Sequence, residues 1–164
     1  FLAEDIVEII KAHGEQLNPL EMTYLALFAG GANAELQIAK KLGIPEKNIT
    51  LIDKIVPPSV QELINSKTHE FTYIADQVGN YLQGANQKFS IISALGAEYI
   101  ITDDTLKDFV AALATLSKEG TIVIVMPYTV NDARGTPIWQ SMGFEPQGIT
   151  GEFRYIGREP KTSV

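Results

Sequence analysis

Tyr24 to Asp53 reads YLALFAGGANAELQIAKKLGIPEKNITLID, and the rest of the chain takes its place from this stretch. Thr23 to Phe28 are apolar on consecutive positions, the pattern of a parallel strand covered on both faces. Ala29, Gly30, Gly31 and Ala32 then remove side-chain bulk where the chain must turn sharply and open a helix. Small residues there let the backbone approach a ligand, and the helix start offers N–H groups with no partner inside the helix. From about Ala34 to Leu42 the spacing predicts a helix that turns Leu36, Ile38, Ala39 and Leu42 toward the sheet, stopped by Gly43. Ile49 to Asp53 (ITLID) is a second strand, ending in an acid. An acid about 20 residues beyond a glycine turn is the usual means of gripping ribose hydroxyls.

The flanking sequence repeats this alternation. Leu2, Ile6, Ile9 and Ile10 form one face of an amphipathic helix ended by Gly14, expected to pack over a sheet edge or roof a crevice. After Asp53, Pro57-Pro58 breaks the chain, and Ser59 is expected to cap a short helix through Val60, Leu63 and Ile64. Phe71 to Asp76 (FTYIAD) reads as a third strand, again ending in an acid, with a brief helix over Val78 to Leu82 and a polar turn at Gly84 to Lys88. Phe89 to Leu95 (FSIISAL) is a fourth strand giving way to Ser93, Ala94 and Gly96. Asp103 or Asp104 can cap the next helix, whose core face is Leu106, Phe109, Val110, Leu113 and Leu116. Lys118 to Gly120 is a turn into the strand Thr121 to Tyr128. Thr136 to Met142 then forms a short helix ended by Gly143. The runs Phe144 to Thr150 and Gly151 to Gly157 are joined so tightly that they must form an antiparallel hairpin. Strand and helix thus alternate five times before the hairpin, which implies an α/β, doubly wound, mostly parallel sheet with helices on both faces.

Composition excludes several classes of function. At 164 residues the chain is most economically one domain (1–164), either whole or part of a longer protein. A net charge of −7 argues against direct nucleic-acid binding by this domain alone. With no cysteine there are no disulfides or thiolate metal sites, and His13 and His69 fit no local ligand pattern, so no metal is expected. No apolar run approaches the ~20 residues of a membrane span, and no signal peptide is recognisable, which gives a cytoplasmic expectation. The chain starts at Phe1 rather than Met, so targeting is not read from its beginning.

Five strand–helix units closed by a hairpin resemble the class I S-adenosylmethionine-dependent methyltransferases, over Leu2 to Gly157. The resemblance implies a seven-stranded sheet of order 3-2-1-4-5-7-6 with the last strand antiparallel. The family's first motif, a strand acid followed by Gly-x-Gly-x-Gly, aligns with Leu25 to Asn33 (LALFAGGAN). Leu27 takes the acid position, and Ala29, Gly31 and Asn33 take the glycine positions, of which only the middle one is kept. Asn33 is a workable substitute because Asn tolerates positive φ, whereas Leu27 removes an acid that in the family helps hold the methionine amino group. The resemblance implies S-adenosylmethionine as cofactor and S-adenosylhomocysteine as product. By position, Ala29, Gly30, Gly31 and Asn33 would cradle the cofactor, Asp53 with Lys54 beside it would hold the ribose, and Asp76 with Gln77 would read the adenine amino group. Ser93 and Ala94 would line the methionine arm. The acceptor, a small molecule or a protein, is not identified: the family's Asn-Pro-Pro-Tyr motif is absent, and Glu98 and Tyr99 form no recognisable base.

Each of these positions has a plainer reading. Asp53 and Asp76 read equally as solvated loop acids, Gly30-Gly31 as the tight turn any doubly wound fold needs, and Lys40-Lys41 as a solvated helix face. Trp139 and Tyr128 follow the fifth strand and could line a substrate mouth, with packing the plainer role. The eroded first motif also admits a catalytically inactive domain serving cofactor binding or protein interaction. A nicotinamide enzyme is disfavoured, since GGANAE contains no Gly-x-Gly-x-x-Gly.

Overall fold

The computed structural model describes residues 3–14, 18–95, 103–126, 132–147 and 151–157. Its strands are β1 (Tyr24–Leu27), β2 (Ile49–Asp53), β3 (Thr72–Ala75), β4 (Phe89–Leu95), β5 (Ser117–Met126), β6 (Phe144–Pro146) and β7 (Glu152–Tyr155). Its helices are α1 (Ala3–Gly14), α2 (Asn33–Leu42), α3 (Pro58–Asn65), α4 (Val78–Gly84), α5 (Asp103–Thr115) and α6 (Asp132–Ser141). One seven-stranded sheet runs β3-β2-β1-β4-β5-β7-β6. Its first five strands pair in parallel, and β7 pairs antiparallel with both β5 and β6, the order implied by the family resemblance.

The central strand explains the two-layer core. All four residues of β1 are buried, because helices cover both sides. Tyr24 and Ala26 face the layer that holds α1 and α2, while Leu25 and Leu27 face the layer that holds α4 and α5. The expected core face of α5 is buried throughout, from Leu106 to Leu116. Helix α1 lies in the first layer against α2 and β5, with Ile6 and Ile10 buried, so it covers a sheet face rather than an edge. Trp139 is fully buried, stacked on Phe153 at 3.9 Å and edge-on to Phe144 at 5.2 Å; it packs α6 onto the hairpin rather than lining a mouth. Among the described residues no helix is long and apolar enough to cross a membrane.

Three local expectations are corrected. Ser59 does not cap α3: Pro57 is the N-cap and Pro58 the first helical residue, where a fixed φ and a missing N–H cost nothing. The turn at Lys118 to Gly120 lies inside β5, not before it. Phe89 pairs with Ser117 and Ile91 with Ile122, so the segment between bulges out, held by the Lys118 N–H on Thr121 Oγ1 at 2.9 Å. On α2 the expected stripe is incomplete: Ile38, Ala39 and Leu42 are buried and Leu36 packs partly buried against the same core, but Glu35 is buried with them. Glu98, Tyr99 and Tyr128 lie outside the described residues.

Candidate functional site

The carboxyl ends of β1, β2 and β3 meet at the turn between β1 and α2. Phe28, Gly30 and Ala32 all take left-handed φ values, of 59°, 52° and 64°. Alternating left-handed residues fold the chain back on itself, and Ala32 becomes the N-cap of α2 without a side-chain hydrogen bond to the helix. Backbone bonds hold the turn at each end: the Ala29 N–H donates to the Ile52 carbonyl at 3.0 Å and the Ala32 N–H to the Ala29 carbonyl at 2.8 Å. The start of α2 therefore has no N-cap side chain over its N–H groups, and the one side chain that reaches them is Glu35, on its own N–H.

Asp53 closes the turn from below. Its Oδ2 accepts the Gly30 N–H at 2.8 Å and its Oδ1 accepts the Lys54 N–H at 2.7 Å. Each oxygen is thereby oriented and keeps a second lone pair, so the half-buried carboxylate can still accept two further donors side by side. The Gly30 peptide is held on its other side as well, because the Tyr73 hydroxyl donates to the Gly30 carbonyl at 2.7 Å. Asp76, after β3, is tied in through its N–H on the Asp53 carbonyl at 2.9 Å.

A buried acid lies behind the turn. Glu35, in the first turn of α2, is only 4% exposed. Burial pushes its carboxyl up from 4.5 to about 7, with the Asp53 charge adding to the rise and its own backbone N–H opposing it. Burial, followed by the charges of Asp53 and Glu35, raises the Tyr73 phenol to about 12. Tyr24 is displaced upward for the same two kinds of reason, burial first and then Glu35, while its hydroxyl shares a 2.7 Å hydrogen bond with Ser93 Oγ.

Beside Asp53 a cleft of about 430 Å³ opens between α4 and α5. Phe28, Val78, Leu82, Phe109 and Ala112 give it apolar walls, and Asp53, Lys54, Gln77, Gln83, Thr105 and Asp108 give it polar groups. This size and this mixture are those of a small-molecule pocket. At Gly31 an added Cβ would meet nothing within 4 Å, so the space over the turn is open.

Neither a family model nor a curated protein sequence matches the chain. Its fold, however, is shared with solved structures. A S-adenosylmethionine-dependent methyltransferase from Clostridium acetobutylicum superposes with a TM-score of 0.59 at 21% identity, over 75% of this chain and 48% of that one. The 1,6-didemethyltoxoflavin-N1-methyltransferase of Burkholderia thailandensis, with bound substrate and S-adenosylhomocysteine, gives 0.69 at 13% identity over 94% of this chain and 78% of that one. Magnesium protoporphyrin IX methyltransferase from Synechocystis, with bound S-adenosylmethionine, gives 0.65 at 14% over 93% and 74%. This chain has the class I methyltransferase fold. It spans about half the length of the Clostridium protein.

Within the methyltransferase fold, the residues singled out by position fall into four groups. Asp53, Lys54 and Gln77 line one cleft, and Ala29, Gly30, Gly31 and Asn33 form the turn that borders Asp53. Asp76 is not among the cleft-lining residues; its Oδ1 accepts the Gln77 N–H at 2.7 Å, next to the Asn80 amide at 3.4 Å, and so serves the start of α4. Ser93 and Ala94 lie near the end of β4, opposite Ala26 and Leu27, both buried, with the Ser93 hydroxyl bonded to Tyr24. Leu27 itself packs in the layer of α4 and α5. Sequence reasoning missed Glu35, Tyr73 and Asp108. Only Glu35 left a signal, as the polar first member of an i, i+3, i+4, i+7 stripe that is otherwise apolar.

Proposed function

We propose that this chain binds S-adenosylmethionine and serves methyl transfer to a small-molecule or protein acceptor. The observation that carries the reading is the Asp53 carboxylate. Both its oxygens are held by backbone N–H groups with lone pairs to spare, between an uncapped helix start and an apolar cleft. Two parallel acceptors suit the vicinal hydroxyls of a ribose, the apolar walls suit a purine, and the bare Gly31 leaves room for a chain passing over the turn. The sheet order and the solved structures of the same fold support the same assignment.

When bound, the cofactor supplies a methyl group on a positively charged sulfur, a leaving group good enough for direct in-line displacement. The protein's part is then alignment and exclusion of water. Asp53 fixes the ribose, the Ala29 to Asn33 turn sets the height of the chain above β1, and Phe28, Val78 and Leu82 keep the heterocycle dry. A net charge of −7 favours a small molecule or protein over nucleic acid as acceptor.

A second reading has its own observation. Leu27 is fully buried among apolar side chains, so no acid on β1 meets the amino group of the methionine arm. That is the pattern expected of a domain that keeps the cofactor site for binding or interaction and has lost turnover. Calorimetric titration with S-adenosylmethionine and S-adenosylhomocysteine tests both. The proposal expects micromolar binding, lost in Asp53→Ala and weakened at least about tenfold in Gly31→Ala, whose added methyl enters ligand space and touches no protein atom. Binding followed by methyl transfer in an acceptor screen supports the enzyme, and binding without transfer the second reading. Absence of binding by the folded protein refutes the cofactor assignment.

A further inference from the structure

The two edges of the sheet carry opposite excesses of charge. Strands β1 to β5 are parallel, so the helices that connect them start at the carboxyl edge, where the cleft lies, and end at the amino edge. At the carboxyl edge Asp53 ends β2 and Asp76 follows β3. Asp103 and Asp104 open α5, Asp108 stands on the cleft wall, and Asp132 opens α6. Three bases, Lys54, Lys107 and Arg134, stand against these six acids. The amino edge is the reverse. Lys40 and Lys41 end α2, Lys47 precedes β2, Lys67 follows α3, Lys88 precedes β4 and Lys118 lies at the start of β5. These six bases meet four acids, Glu21, Glu46, Glu70 and Glu119, and Glu46 is paired with His69. Among the described residues Asp53, Asp76 and Asp108 have no base within ion-pair distance.

Helix dipoles account for much of this placement, since aspartates suit helix starts and lysines suit helix ends. A dipole fades within a turn, whereas a whole charge reaches about a screening length into solvent. We infer that the carboxyl edge selects ligands by positive charge, raising affinity for the sulfonium donor relative to the thioether product. The inference rests on the cofactor reading proposed above. S-Adenosylmethionine carries one net positive charge at neutral pH and S-adenosylhomocysteine none, because the sulfur keeps the bonding pair when the methyl leaves. The acids form no binding site of their own; they surround the one that Asp53 and the cleft define. A few uncompensated charges acting through water change the affinity of a monovalent cation severalfold. The donor is thereby drawn in and the spent product let go, with no contact to the sulfur required.

Calorimetry of both ligands on the whole chain, at low and high salt, tests this. The screening length is about 30 Å at about 0.01 M salt and about 3 Å at about 1 M. The ratio of donor to product affinity is expected to be about three- to tenfold higher at the lower concentration. A short-range contact to the sulfur would not respond in this way. The combined variant Asp103→Asn, Asp104→Asn, Asp132→Asn removes three charges from the carboxyl edge outside the cleft lining, and asparagine suits a helix start as well as aspartate does. It should lose at least about half of the salt-dependent preference and bind the product as before. Glu21→Gln, Glu70→Gln, Glu119→Gln removes as much charge from the amino edge and should leave the ratio unchanged. Circular dichroism checks the fold of both variants, and the salt series on the unmodified protein decides the matter alone if either fails to fold. A ratio that does not move with salt, or that the two variants change equally, overturns this inference and leaves the cofactor assignment standing. Failure of the unmodified protein to bind either ligand overturns both.

Discussion

Glu35→Gln is the substitution whose outcome the structure sets most tightly. The carboxyl of Glu35 is buried behind the glycine turn, and burial, with Asp53 adding, raises it from 4.5 to about 7. A folded-state value above the unfolded one means that the folded protein holds the proton more tightly over that interval. Stability is therefore fully present below the unfolded value and declines as pH rises through the folded value. At 1.36 kcal/mol for each tenfold difference in proton affinity, the whole displacement is worth about 3 kcal/mol. Glutamine has nearly the same shape and cannot ionise, so it removes the decline. Urea unfolding of both proteins, followed by circular dichroism from about pH 5 to about pH 8.5, should show Glu35→Gln gaining about 2–3 kcal/mol on the parent across the range. Any fixed cost of burying the amide shifts the two curves without changing their divergence. Two curves that stay parallel would mean that Glu35 is ionised and solvated in the folded state, and the account of the turn would be wrong.

Three further substitutions probe separate parts of the molecule. Tyr73→Phe removes the 2.7 Å bond to the Gly30 carbonyl and should weaken S-adenosylhomocysteine binding several-fold, with about 1 kcal/mol of stability lost in urea; unchanged binding would show that Asp53 is held well enough without it. Gly143→Ala places a Cβ 2.8 Å from the Gly157 carbonyl oxygen at a φ of +97°, so it should cost at least about 2 kcal/mol; a thermal midpoint within a degree or so of the parent would contradict that contact. Glu46 is partly buried, which acts upward on its carboxyl, but the Glu70 N–H and His69 at 3.0 Å outweigh this and hold it below its ordinary value. That stability is present above the unfolded value and lost as pH falls through the folded one. Glu46→Gln should therefore cost up to ~1 kcal/mol near neutrality and progressively less in acid; a deficit that persists at about pH 3 would exclude the charge as its cause.

The strand–helix alternation, the covering of both sheet faces and the closing hairpin were legible because they depend on properties a sequence displays directly, whereas the strand order came from the family resemblance. The unbroken apolar run of β1, the amphipathic stripe of α5 and the short link before β7 each allow one solution. A buried parallel strand must be covered twice, and a tight link must reverse direction. Errors came where a polar residue did something other than face water. Glu35 was passed over because an acid on an inward stripe contradicts the usual pattern; it lies there with its carboxyl raised by burial and held by its own backbone N–H. Asp108 was invisible for the opposite reason. An exposed acid on a helix is commonplace, and only the packing of α5 beside α4 places it on a cleft.

The left-handed residues of the turn are not the motif's glycine positions Ala29, Gly31 and Asn33 but their neighbours, so the positive φ expected of Asn33, the first residue of α2, is not found. Three residues there are left-handed, and only one of them is glycine. Phe28 and Ala32 each carry a penalty of about 1–2 kcal/mol that glycine would avoid. They hold that conformation because surrounding bonds over-determine it: Ala29 is tied to Ile52, Ala32 to Ala29, and the Gly30 peptide is pinned by Asp53 on one side and Tyr73 on the other. Once β2 and β3 hold the turn in this way, glycine at the flanking positions is a convenience and not a requirement. Position 30 is different, since its N–H must meet Asp53 at close range: an added Cβ would sit 3.8 Å from Oδ2 and keep a left-handed strain. Asp53, the start of α2 and the slot between α4 and α5 thus stand together although two of the three glycine positions are changed.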